Sequence, residues 1–219
     1  MSDDATLKAS VMEELEWEPS LDAAHIGVTA KHGVVTLSGF VDSYAAKITA
    51  ERAESRVHGV KAIAEEIDIR LPNAQKRADD KIAERAVRIL AWDIQVPHER
   101  IQVKVEHGVI TLSGDVDYQR TAAESDMRQL GGVRGVANML RVVPPIDQPA
   151  DPAGIKHRTQ NALRRNAEIE ASHISVTVDA GQVTLRGRVK AWAERSVAAS
   201  AAWAAPGVTE VRDELNVEP

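Results

Sequence analysis

Hydrophobic and polar positions change their spacing in a fixed order along this chain. Leu7, Val11, Met12 and Leu15 follow the i, i+4, i+8 stripe of an amphipathic helix. Ile26, Val28 and Ala30 then alternate with other residues, as do Val35 and Leu37, which predicts two strands. His32-Gly33 between them supplies a short turn, with the glycine free to take positive φ. From Tyr44 to Val57 helical spacing returns, with Ala46, Ala50, Ala53 and Val57 on one side, and Ile63, Ile67 and Ile69 mark a third strand. The predicted order is α-β-β-α-β. A helix between strands two and three favours a right-handed parallel crossover. The expected unit is therefore a mixed three-stranded sheet with two helices on one face.

That pattern is written three times. HGVVTLSG at 32–39 returns as HGVITLSG at 107–114 and AGQVTLRG at 180–187. Ile26-x-Val28, Ile101-x-Val103 and Ile174-x-Val176 precede the three motifs at equal distances, and GVKAIAEEIDI, GVRGVANMLRV and GVTEVRDELNV follow them. A period of this size marks an array of small modules, expected at 1–71, 76–143 and 153–219, so the fold class is α+β with three tandem units. In the first motif Val35 and Leu37 should face inward. Gly39 falls in phase with them, where a missing side chain lets a helix pack close or the strand bend. The short LPNA connection at 71–74 predicts that modules one and two sit close together. PPIDQPADP at 144–152 carries four prolines and predicts a semi-rigid spacer before module three.

The set I-x-V, G-x-V-T-L-x-G and G-V-x-x-V-x-(N/D)-x-L-x-V, in tandem α-β-β-α-β units, resembles the BON domain family. The likeness covers all three modules. The variable polar position of the last motif is Glu65, Asn138 and Asp213, so module one departs from the usual Asn/Asp. The resemblance implies a non-enzymatic role in osmotic stress or envelope integrity, with binding of phospholipid or other envelope components.

Composition narrows the rest. With 27% charged and 43% hydrophobic residues the chain should be globular, and no apolar run approaches a membrane span. The acidic N-terminus lacks the features of a signal peptide, so the expected compartment is the cytoplasm, or the periplasm if a leader was removed. The absence of cysteine excludes disulfides and thiol catalysis. Module one carries 7 Lys+Arg against 13 Asp+Glu, module two 11 against 10 and module three 9 against 8, and the chain as a whole is −6. This is not the charge of a nucleic-acid binder.

Seven histidines include equivalent pairs, His32 with His107 and His25 with His173, yet no two have the spacing of zinc ligands. No catalytic, metal or cofactor site is expected. The polar trio Glu65, Asn138 and Asp213 lies in phase with apolar neighbours and is expected to bond nearby backbone. The candidate contact surface is in module three. Trp192 and Trp203 are eleven residues apart on one helical face, with Ala198, Ala201 and Ala205 as the core stripe. Arg186, Arg188 and Lys190 follow the hairpin, and Arg164 and Arg165 end the first helix. Such a surface suits either anionic phospholipid or a protein partner, including a second copy of the chain. Trp17 and Trp92 are expected in module cores or between modules.

Overall fold

The computed structural model describes residues 2–73, 78–94, 96–116, 120–143, 151–166 and 170–218. Each repeat forms the predicted order of elements. The first contains α1 (Ser2–Glu16), β1 (Ile26–Lys31), β2 (Val34–Val41), α2 (Tyr44–Arg56) and β3 (Ala62–Ile69). The second contains α3 (Asp79–Trp92), β4 (Ile101–Glu106), β5 (Val109–Val116), α4 (Arg120–Arg128) and β6 (Gly135–Val142). The third contains α5 (Pro152–Arg165), β7 (Ile174–Asp179), β8 (Gln182–Val189), α6 (Trp192–Trp203) and β9 (Glu210–Val217). The strands make three separate three-stranded sheets, ordered β1-β2-β3, β4-β5-β6 and β7-β8-β9. In the second and third sheets the hairpin is antiparallel and the strand after the crossover is parallel to the middle one.

By density of packing the chain divides into two compact units. One holds residues 1–39, 49–67 and 146–219; the other holds 40–48 and 68–145. Within the second unit, Tyr44 packs against the core of the second repeat. The proline-rich spacer expected at 144–152 lies, but for its last two residues, outside the described residues.

Each interior is aliphatic. Leu7, Val11 and Leu15 of α1 are buried, as are Ile82, Ala86 and Leu90 of α3, and Ile155 and Leu163 of α5. They meet the inward residues of the middle strands, such as Val35 and Leu37, Ile110 and Leu112, or Val183 and Leu185, all fully buried. Met12 does not belong to this stripe and is 42% exposed. On α6 the buried alanines are Ala198 and Ala202, with Ala205 just beyond the helix, while Ala201 is only partly covered.

The recurring motif has two backbone causes. The hairpin turns place both central residues at positive φ: His32 and Gly33, His107 and Gly108, Ala180 and Gly181. Turns of that hand match the strand twist. The closing glycine serves a different purpose from the one its phase suggests. Gly39, Gly114 and Gly187 also have positive φ, and a Cβ on any of them would overlap the carbonyl oxygen of His25, Arg100 or His173 respectively. The close neighbour is thus the backbone entering the first strand, not a helix.

Candidate functional site

Two members of the polar trio, Asn138 and Asp213, link the second helix of their repeat to its third strand. Asp213 accepts from Arg195 Nε at 2.7 Å and from Leu215 N at 3.0 Å. Arg195 also donates to Asp213 O at 3.3 Å. At the equivalent place Asn138 Nδ2 donates to Arg120 O at 2.8 Å and to Glu124 at 3.0 Å, and its Oδ1 accepts from Leu140 N at 3.2 Å. Arg120 returns a bond to Asn138 O at 3.3 Å. Asn138 and Asp213 are satisfied within their own repeats, which makes each a helix–strand fastening. In the first repeat the corresponding residues are Lys47 and Glu65.

Apart from His157, which lies on α5, the histidines fall at turns and strand entrances. His32 and His107 are turn residues, and the His25 and His173 carbonyls face the motif glycines. Among the described residues no three His, Asp or Glu side chains are grouped to hold a metal ion. In the first two repeats an acidic residue at the start of the first helix fastens the turn instead. Asp79 accepts from His107 N at 2.8 Å and Gly108 N at 2.9 Å, and Asp4 accepts from Gly33 N at 3.4 Å. Backbone N–H donation from His32 holds the Asp4 carboxyl below its usual range.

The basic residues proposed for module three are mostly engaged. Arg186 pairs with Glu214 at 2.5 Å, Arg188 with Glu218 at 3.3 Å and Lys190 with Glu170 at 3.0 Å. Arg186 and Arg188 stand on the open side of the sheet, whereas Arg164 and Arg165 are exposed at the end of α5. Trp192 and Trp203 do not form one outward face. Trp203 packs against the core of its repeat. The Trp192 ring lies under the Arg195 guanidinium, 5.1 Å from its centroid, with Nε1 buried.

Large apolar exposure occurs elsewhere. Trp17 is 77% and Trp92 83% exposed, contrary to the expectation that both pack inside. They occupy the same position in the first two repeats, and Met12 and Val87, exposed as well, also correspond. Arg165 stands at the tryptophan position of the third repeat, and Gln160 at the Met12 position. The first helices also differ in charge. α1 carries five acids against one lysine, net −4. α3 balances three acids with three bases. α5 has two arginines in its last turn, one lysine and one further arginine, and no acid, net +4. This signal lies in the sequence, but only helix boundaries and burial bring it out.

Three stretches of the chain, residues 3–70, 78–144 and 151–219, match the family model described as BON domain. Osmotically-inducible protein Y of Escherichia coli (strain K12) is 33% identical over 146 residues, which is 64% of this chain and 72% of that protein. Two solved chains of CdsD, a structural protein of the type III secretion system of Chlamydia trachomatis, align at 14% identity with TM-scores of 0.27 and 0.26. They cover 98% and 97% of this chain and 93% and 98% of their own, superpositions too loose to carry an argument. No described helix is long and apolar enough to cross a membrane.

Proposed function

The chain belongs to the BON domain family, as three tandem copies, and from that premise we propose a non-catalytic binding protein that works through the outer faces of its first helices. Its relation to an osmotically inducible protein gives it a stress-related role. The observation that supports the binding surface is the repeated exposure of Met12 with Trp17 and of Val87 with Trp92. Exposed apolar positions that recur together mark contact surfaces, and tryptophan concentrates binding energy there.

Charge favours a protein over a bilayer as occupant of the first of these faces. Trp17 follows Glu13 and Glu16, both exposed, and an anionic membrane repels such a helix. Among the described residues the basic helix α5 has no exposed tryptophan beside it, so the apolar and cationic parts of an interfacial lipid site lie on different repeats. The second reading, anionic phospholipid, rests on α5 alone, where each cation near a charged bilayer contributes about 1 kcal/mol. The same faces serve in either compartment, cytoplasm or periplasm, and cell fractionation distinguishes the two.

The test replaces Trp17 and Trp92 by alanine together in a strain whose survival of hyperosmotic shock depends on this protein. The double variant should fold, with unchanged circular dichroism, and should fail to protect. A photo-crosslinking residue at position 92 should capture a discrete protein in wild-type cells under shock. Full protection by the double variant overturns the reading. Co-sedimentation with phosphatidylglycerol vesicles that Arg164→Glu/Arg165→Glu abolishes, and that the tryptophan variant retains, favours the lipid.

A further inference from the structure

We infer that the third repeat carries a socket for the first: the groove between α5 and α6 accepts Trp17 of a second copy of the chain, with Glu13 and Glu16 seated against Arg158 and Arg165. The inference rests on the reading that first-helix faces bind protein, and it names the partner.

The groove is a cavity of about 210 Å³. Alanines 162, 201 and 204 and Pro206 make its floor and walls, and Arg158 and Arg165 stand on its rim. It is open because its residues are small. In the first repeat the positions of Ala162 and Ala204 hold Glu14 and Arg56, whose long side chains pair with each other at 2.8 Å. In the second repeat they hold Ile89 and Gln129. The second repeat also has a cavity near this point, of about 420 Å³, but there α3 and the end of α4 line it with Arg85, Arg128 and Gln129 rather than with alanines. Arg158 donates to Pro206 O at 3.2 Å, which fixes one guanidinium at the edge.

The complementary shape is on α1. Trp17 stands clear of its own repeat, 77% exposed. Glu13 lies one turn before it, and Glu16 and Met12 complete a four-residue patch at helical neighbour spacing. An indole entering an alanine-lined slot between two guanidinium groups gains apolar burial and cation–π attraction. The flanking carboxylates then meet the arginines, in keeping with the opposite charges of α1 and α5.

Trp92 does not fit the same socket. One turn before it stands Arg88, at the position of Glu13, which places like charge against Arg158 and Arg165. The contact joins two different surfaces of one chain, so two copies exchange it reciprocally in a closed dimer or pass it head to tail along a ring or open chain.

The test is sedimentation velocity on the full chain over a range of concentrations at low and high salt. Wild type should associate with rising concentration at low salt and dissociate at high salt. Trp17→Ala should weaken association at least tenfold, and Trp92→Ala should leave it unchanged. Ala162→Ile, which fills the groove without altering charge, should act like Trp17→Ala. Glu13→Lys/Glu16→Lys and Arg158→Glu/Arg165→Glu should each be monomeric alone, and an equimolar mixture of the two should associate again. A wild type that stays monomeric at every concentration overturns the inference, as does association lost with Trp92→Ala or a charge-reversed mixture that stays apart. The crosslinking test at position 92 does not depend on any of these outcomes, so the broader reading survives the failure of this one.

Discussion

Glu54 fills, inside the first repeat, the position that Met127 fills in the second. Both are fully buried, yet the Glu54 carboxyl oxygens have no hydrogen-bond partner. Burial above all, and then the negative charges of Glu65 and Glu51, push its pKa from 4.5 up to about 8. The folded chain therefore keeps a proton that the unfolded chain releases above pH 4.5. This contribution is fully present below that pH and is lost as pH rises through about 8, with up to about 3 kcal/mol gone at neutrality. Urea unfolding of the wild type should show stability falling from pH 5 to pH 9. Glu54→Met should be more stable at pH 8 and flatter across the range. Parallel profiles for the two proteins would refute the assignment.

Thr159 presents a milder version of the same problem. It is fully buried on α5 with its hydroxyl unpartnered, where the first repeat has Val11 and the second Ala86. Thr159→Val keeps the shape and removes the stranded group, and should stabilise the third repeat by about 1 kcal/mol. Thermal unfolding followed by circular dichroism checks it.

Asp79 ties the start of α3 to a hairpin turn through two backbone N–H bonds. Asp79→Ala should cost about 1.5–3 kcal/mol, in the range of hydrogen bonds to a charged acceptor. The His107 and Gly108 amides should then exchange hydrogen faster than in the wild type. Asp4→Ala, which loses a single longer bond to Gly33, should cost less.

Gly114 has φ 133°, and any Cβ there overlaps the Arg100 carbonyl. Gly114→Ala should destabilise the second repeat by more than about 3 kcal/mol, since strained backbone and steric overlap add. Loss of one portion of the cooperative denaturation signal would report it. Gly135→Ala, where the nearest atoms are Val109 methyl carbons at 3.6 Å, is the tolerated control.

The four tryptophans should divide by solvent access. In variants retaining one tryptophan each, Trp17 and Trp92 should emit at long wavelength and be quenched by iodide. Trp203, packed on its core, should emit further to the blue and resist quenching. Equal quenching of Trp92 and Trp203 would contradict the structure.

The sheets were legible because alternation and helical spacing repeat in the same order three times, so each copy checks the others. The motif glycine was not. Its phase is that of Val35 and Leu37, but its positive φ turns it toward the His25 carbonyl, in a short turn with no apolar signature. The tryptophans misled in both directions. Trp17 and Trp92 come two residues after the last buried stripe residues, Leu15 and Leu90, and about 200° of helical rotation turns them outward. Trp192 and Trp203 share a face by spacing, but long side chains lean along the helix, and Trp203 reaches the core. The groove was invisible in the sequence because Ala162 and Ala204 read as ordinary helix-compatible residues. They matter only beside the bulk that other repeats place there.

The step from a strongly acidic first helix in repeat one to a strongly basic one in repeat three has a consequence for the solution around the protein. Attraction between such helices reaches only as far as dissolved ions allow, about 10 Å at roughly 0.1 M salt and about 3 Å near 1 M. Any assembly built on them is thereby tuned by electrolyte, tightening in dilute surroundings and loosening as salt accumulates.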